Sequence, residues 1–252
     1  MRAPTMTICV LLLLWATPSA AEFPPEKLEN LQVLPADSTP QEVIAVMRGF
    51  AGGLGVRCQY CHVGEESLAL SDFDFPSDEK PTKRKAREML RMVQAINTQH
   101  LAKLPDRSDP PLTVSCETCH HNLPKPGSLQ DELLAAHASG GVAAAKARYR
   151  ELREQYYGTW SYDFSLIPLN VVAETLGVGG QLADAIALQE MNLEYHPDEA
   201  FVYTLLAQLY ARNEQRGRAI EALEAALALM PEDLFIPRML ERLRAADGDS
   251  PE

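Results

Sequence analysis

Positive charge is scarce in this sequence. The 252 residues contain 23 Lys and Arg against 35 Asp and Glu, which gives a formal net charge of −12 at pH 7. Nucleic acids and anionic membrane surfaces are bound through basic residues, so the composition argues against both as partners. It favours a protein partner that presents a basic patch, or simply high solubility.

Strand patterns and membrane-spanning apolar runs are also lacking. No segment alternates apolar and polar residues as a half-buried strand does, so we predict a mainly α protein. The apolar run from Ile8 to Trp15 is too short to cross a bilayer. With Arg2 before it and the small residues Ser19 to Ala21 after it, the run is typical of a signal peptide that is cleaved after Ala21. Export to the periplasm follows, with the protein either free or at the periplasmic face of the inner membrane. Membrane association would then require a partner or an uncleaved signal.

Cysteine is confined to the signal peptide and two short motifs. Cys9 lies within the apolar run and is removed with it, and the other four cysteines belong to RCQYCH (57–62) and SCETCH (115–120). Four cysteines in an exported protein suggest two disulfides by default. Disulfides do not explain why a histidine follows each pair.

The order Cys-x-x-Cys-His is the attachment sequence for c-type haem. Each thiol adds to one vinyl group of the porphyrin, and cysteines three positions apart lie about one helical turn apart, near the distance between the two vinyls. The adjacent histidine supplies the proximal iron ligand. We therefore predict two covalently bound c-type haems. They are held by Cys58, Cys61, Cys116 and Cys119, with His62 and His120 on the irons.

Two other uses of paired cysteines fit less well. Paired Cys-x-x-Cys zinc sites are typically spaced by about 15–20 residues, whereas Cys61 and Cys116 are 55 positions apart. A thioredoxin-like redox pair needs a βαβ context, which the sequence does not predict.

The second axial ligand of each iron is open at this point. Methionine binds haem iron through its thioether, and it raises the reduction potential. Met47 is predicted on the apolar stripe of a helix that ends beside Cys58, and Met89 and Met92 on the stripe of a helix before Cys116. The remaining histidines are further candidates, and core packing is the alternative for each methionine. These histidines are His100, His121, His137 and His196.

Helical patterns organise the rest of the chain. Thr39, Pro40 and Glu42 form a helix start with a capping box, and we predict helices over 40–54 and about 82–101. The segment LPKPG at 123–127 is typical of a domain boundary, and a helix is predicted at about 142–157.

A repeat follows the predicted boundary. Ala185 and Ile186 recur 34 residues later as Ala219 and Ile220, and Pro197 recurs as Pro231. This is the period of a tetratricopeptide helix pair. From about residue 166 to 246 the chain resembles tetratricopeptide repeats.

The haem segments resemble a known family. VMRGFAGGLGVRCQYCH (46–62), AREMLRMVQAINTQHL (86–101) and VSCETCH (114–120) are similar to haem-binding segments of the photosynthetic reaction centre cytochrome c subunit. That family places a helix with the axial methionine before each Cys-x-x-Cys-His. The resemblance covers about residues 28–122. It implies Met47 as the ligand at the first iron and Met89 at the second, with Met92 as the alternative.

Together these inferences predict a mainly α protein, in which a small dihaem multihaem-cytochrome-like helical domain is followed by a tetratricopeptide-like α-solenoid. Its expected function is to carry single electrons between redox protein partners without catalysis, with the repeats as the surface that docks a partner. The alternatives are a dihaem peroxidase-like enzyme and a haem redox sensor. The predicted segments are the signal peptide (1–21), the dihaem domain (22–127), a helical connector (128–165), the repeats (166–246) and a disordered tail (247–252).

Overall fold

The computed structural model describes residues 23–245. This part of the chain contains nine α-helices and no strand, and Val63 and Asp74 form an isolated antiparallel bridge. The predicted mainly α fold is confirmed. No helix among the described residues is long and apolar enough to cross a membrane. The predicted signal peptide and the predicted C-terminal tail lie outside the described residues.

The described chain forms two compact units. The first contains residues 23–51 and 56–114, and the second contains residues 52–55 and 115–245. The first Cys-x-x-Cys-His motif belongs to the first unit and the second motif to the second unit. The predicted domain boundary at residue 127 stays a prediction.

Helix α1, Pro40–Leu54, starts as its sequence predicts. The Thr39 amide donates to the Glu42 carboxylate at 2.8 Å, and the Glu42 amide donates to the Thr39 hydroxyl at 3.3 Å. This reciprocal capping box satisfies amides that the first helical turn leaves unpaired. Four apolar residues share one face of α1, and all four are half-buried. They are Val43, Met47, Phe50 and Leu54.

The glycine-rich end of α1 packs within the second unit against α3, Cys116–His120. The Asn122 amide donates to the Gly53 carbonyl at 2.9 Å, and a Cβ on Gly53 would lie 3.0 Å from the Glu117 amide nitrogen. Gly55 ends the helix with φ +65°, and a Cβ there would overlap the Asn122 carbonyl oxygen. Only glycine fits these two positions without a shift of backbone.

Helix α2, Pro81–Ala95, is shorter than predicted, because the chain continues as a π-helical turn at Ile96–His100. The cause lies outside the helix: the Asn97 side chain pairs with both the amide and the carbonyl of Val114, each at 2.8 Å. The π-turn widens the helix where Asn97 makes this contact.

Helix α4, Leu129–Tyr156, has 28 residues and starts well before the predicted position at about residue 142. The sequence predicted only about 142–157, because Gly140 and Gly141 interrupt the helical pattern. The structure kinks at these glycines, with φ +68° at Gly141, and the helix continues on both sides. Ser128 caps its start by accepting a hydrogen bond from the Asp131 amide at 3.1 Å.

The remaining five helices of the described chain form two successive pairs and a final single helix. They are α5 (Leu166–Val178), α6 (Leu182–Tyr195), α7 (Ala200–Arg212), α8 (Arg216–Leu229) and α9 (Ile236–Ala245). The pairs are α5 with α6 and α7 with α8, and α9 is the single helix. Helices α5 and α7 start 34 residues apart, as do α6 and α8, which is the period that the sequence predicts. Ala185 and Ala219, the pair that revealed this period, are both fully buried. The predicted helical solenoid-like region is confirmed.

Candidate functional site

The first motif is a tight turn that leaves its histidine firmly oriented. Cys58–Tyr60 is a 3-10 helix, and the His62 amide donates to the Cys58 carbonyl at 2.9 Å. The His62 Nδ1 lies 3.2 Å from the Phe75 carbonyl oxygen, and the two rings meet edge to face at 4.9 Å. A carbonyl only accepts hydrogen bonds, so Nδ1 carries the proton and Nε2 keeps its lone pair for a metal.

The start of α2 is held against this turn. The Thr82 hydroxyl donates to the Tyr60 carbonyl at 2.5 Å, and the Lys80 ammonium donates to the Gln59 carbonyl. Burial lowers the pKa of the His62 imidazole below its ordinary value, and the charge of Lys83 lowers it further. His62 is therefore neutral at pH 7, which is the form that binds iron.

The second motif reaches the same arrangement by a different local structure. Here the motif is the short helix α3, capped by Ser115 and Thr118. The His120 Nδ1 donates to the Leu123 carbonyl at 2.8 Å, so its Nε2 is also the free ring nitrogen. His121 ends the helix in the left-handed conformation, with φ 49°, and its Nε2 lies 3.0 Å from the Thr118 carbonyl.

The thiols are free, and their surroundings do not fit a redox dithiol. Cys58 and Cys119 are exposed, whereas Cys61 and Cys116 are half-buried. Burial raises the pKa of the Cys61 and Cys116 thiols. A redox-active pair needs the opposite shift, because the attacking group is the thiolate. In residues 23–245, no three His, Cys, Asp or Glu side chains gather into a group that could hold a metal ion.

The structure places the candidate axial residues without deciding between them. Met47 lies half-buried on α1, in the same unit as His62. Met89 and Met92 lie on α2, with 43% and 46% of their surface exposed. His100, on the following π-turn, is also exposed. The sequence places Met89 and Met92 on an apolar stripe, but in the polypeptide alone both side chains are exposed. The roles of Met47, Met89 and Met92 as ligands stay predictions.

The other predicted histidines have different surroundings. His137 is buried on α4, and its Nε2 lies 2.7 Å from the Asp184 carboxylate on α6. This bond joins two helices of the second unit and gives His137 a structural role. His196 follows α6 and is half-buried.

The composition of the first unit's interior fits a large apolar cofactor. Among its described residues, Phe73 alone is buried. Large apolar side chains of the first unit stay partly exposed to water. The second unit, in contrast, has a continuous core on α4–α9. A porphyrin supplies the kind of apolar surface that these side chains lack as a partner. The exposed large apolar side chains are Phe23, Tyr60, Leu68, Leu70, Met89, Met92, Leu104 and Leu112.

Sequence reasoning missed the two carbonyls that orient the proximal histidines. The Leu123 carbonyl is three residues beyond His120 and closes a local turn. The Phe75 carbonyl is 13 residues beyond His62, in a segment that carries only loop signals. No sequence signal identifies that acceptor, because any residue provides a carbonyl.

Comparison with known proteins agrees with the resemblance of the haem segments. A family model described as the photosynthetic reaction centre cytochrome C subunit matches residues 17–151, more than half of the chain. Cytochrome c-554 of Chloroflexus aurantiacus is 39% identical over 95 residues, which are 38% of this chain. These residues are 20% of that relative, so the match spans about a fifth of its length.

Proposed function

Because the chain belongs to the photosynthetic reaction centre cytochrome c subunit family, we propose that it is an exported dihaem cytochrome that carries single electrons between redox proteins. Covalent haem c and a part in electron transfer follow from membership of the family. We propose in addition that the protein binds two haems, that it is periplasmic and that a particular surface binds its partner.

The observation that carries this proposal is the repeated histidine geometry. His62 and His120 each donate from Nδ1 to a downstream backbone carbonyl, which leaves Nε2 as the ligand atom. Haem, when bound, supplies a one-electron Fe(II)/Fe(III) couple. The cysteines tether it, and in our proposal Met47 and Met89 provide the second axial ligands. If a histidine and a methionine bind each iron as proposed, neither iron would keep a position for a substrate, which favours a carrier over a peroxidase.

The proposal is tested by the intact mass of the exported protein. The mass should equal that of the chain from Glu22 plus two haem groups, and acid–acetone should extract neither. Carbon monoxide should bind the reduced protein weakly, and peroxide turnover should be negligible. A mass with one haem, or with none and two disulfides, contradicts the proposal, and rapid peroxide turnover favours the peroxidase.

The partner surface that we propose lies on the helical repeats. Ile167, Phe201 and Phe235 are spaced 34 residues apart at the starts of α5, α7 and α9, and they are 48%, 60% and 70% exposed. Two acidic residues precede each phenylalanine, at 198–199 and 232–233. Apolar side chains beside carboxylates match a protein segment that presents apolar residues next to Lys or Arg. The occupant is therefore a redox protein with a basic, partly apolar contact patch.

This surface is tested with a redox protein that is isolated with the chain and reduces it. Replacing both phenylalanines, Phe201→Ser with Phe235→Ser, should weaken binding of that partner by about tenfold or more, as for aromatic residues central to an interface. Val178→Ser is the matched control. Val178 is 77% exposed on α5, but it does not belong to the repeated apolar row, because the residue 34 positions later is Arg212. Equal binding by the double variant and the control contradicts docking on this surface.

A further inference from the structure

A half-buried lysine organises the loop that orients His62. The Lys83 side chain is 11% exposed, and its Nζ donates to three successive carbonyls, those of Phe75, Pro76 and Ser77, at 2.8, 2.9 and 2.7 Å. The Asp78 carboxylate lies 3.1 Å from the same nitrogen. The loop 75–78 is thus wrapped around one ammonium group.

One of these carbonyls is the acceptor for the proximal histidine. The Phe75 oxygen accepts from Lys83 Nζ at 2.8 Å and from His62 Nδ1 at 3.2 Å, so it uses both lone pairs. A continuous path of hydrogen bonds therefore joins the lysine to the ring whose other nitrogen would bind the iron.

Lys83 shares the Asp78 carboxylate with a second cation. Arg87 is 13% exposed and donates to the Asp78 carboxylate at 2.7 Å, so one carboxylate faces two cations. The bonds from Arg87 and Asn30 hold the pKa of Asp78 well below its usual range, so Asp78 stays ionised at neutral pH. A second carboxylate, that of Asp74, accepts from the Ser77 amide of the same loop at 3.0 Å, so Lys83 is distinguished by its direct bond to the Phe75 oxygen.

The second motif lacks this arrangement. The Leu123 carbonyl lies closer to its histidine, at 2.8 Å, and no lysine among the described residues donates to it. The two proximal histidines therefore differ in how strongly their acceptor carbonyls pull on the Nδ1 proton.

We propose that Lys83 is a positioning residue that raises the reduction potential of the haem at His62 above that of the haem at His120. This inference rests on the proposed dihaem function. Donation from Lys83 withdraws electron density from the Phe75 carbonyl, which weakens its pull on the Nδ1 proton and makes His62 a less basic ligand. A less basic ligand and a nearby positive charge both favour the reduced iron. An electron on this protein therefore resides at the first motif.

The test is a redox titration of the full-length holoprotein and its variants. Lys83→Met keeps the length of the side chain and removes the ammonium group. It should lower the higher of the two midpoint potentials by about 59 mV, a tenfold change for a one-electron couple, and leave the lower one in place. Lys85→Met is the control, since it removes the same charge from an exposed residue of the same helix.

A second variant tests the opposite sign and covers a failure of Lys83→Met to mature. Asp78→Asn removes the carboxylate that offsets Lys83, so it should raise the same, higher potential. The inference is overturned if neither variant moves a potential, if the lower couple moves, if both couples move equally, or if Lys85→Met has the same effect as Lys83→Met. A parental protein with only one haem couple contradicts the dihaem proposal instead, and the two failures are thereby distinguished.

Discussion

His62 and His120 each owe their orientation to one backbone carbonyl, and in our proposal a methionine provides the second ligand of each iron. Met47 lies half-buried on α1, on the face it shares with Val43, Phe50 and Leu54. A half-buried thioether in the unit that contains His62 is suited to both packing and ligation. A volume-conserving substitution separates the two roles.

We expect Met47→Leu to leave the fold intact and to change one haem. The substitution keeps volume and apolarity, so the free energy of unfolding should fall by no more than about 1.5 kcal/mol. The iron loses a soft donor that favours its reduced state, so one potential should fall. The methionine–iron charge-transfer band of that haem should vanish, and carbon monoxide should bind it. Redox titration and absorption spectra measure all three effects.

Met89→Leu should produce the same changes at the other haem, and Met92→Leu should produce neither. An unchanged spectrum and potential in Met47→Leu would assign Met47 to packing. The distal ligand would then be sought among His100 and His121, since His137 is held by Asp184.

At the scale of elements, α1 is the most constrained part of the haem region. Its start depends on local chemistry, since the capping box involves residues three positions apart. Its end lies in a glycine-rich segment. Both ends of the helix are therefore predictable from the sequence. The end of α2 depends on Asn97 meeting Val114, 17 residues away, so the sequence predicts a helix there without its π-turn. The first half of α4 escapes prediction for a different reason, because Gly140 and Gly141 mark a kink as readily as an end.

The end of α1 allows a matched pair of glycine substitutions. Gly55→Ala should lower the free energy of unfolding by more than 1 kcal/mol, because its φ is +65° and the new methyl would overlap the Asn122 carbonyl. Gly52→Ala should raise it by about 0.4–1 kcal/mol, because nothing lies within 4 Å of the added Cβ. Denaturant unfolding of the holoprotein measures both. Equal effects of the two substitutions would show that the turn after α3 does not constrain α1.

At the scale of the whole molecule, charge controls encounters more than it controls stability. The chain has a net charge of −12, and its predicted signal peptide contributes one of the positive charges. Surface charges act over about 10 Å at 0.1 M ionic strength, so their effect on association depends strongly on salt. A cationic and an anionic inorganic reagent probe this effect, because neither reagent needs a docking surface on the protein.

We expect reduction of the protein by hexaammineruthenium(II) to slow as ionic strength rises, since salt screens the attraction of this cation. Reduction by an anionic complex such as hexacyanoferrate(II) should become faster under the same change, because salt screens its repulsion. Stopped-flow rates over a series of salt concentrations measure both slopes. The reverse pair of slopes would show that the basic residues of α2, rather than the net charge, govern access to the haems.

Among its described residues, the first unit buries one apolar side chain of its own, Phe73, and this has a consequence for the life of the protein in the cell. A chain that has not received its prosthetic groups has little to hold this unit together, and proteases remove unfolded segments. The abundance of the protein is then set by the supply of haem as well as by the rate of translation. Under iron shortage, we expect the protein to disappear while its messenger RNA persists.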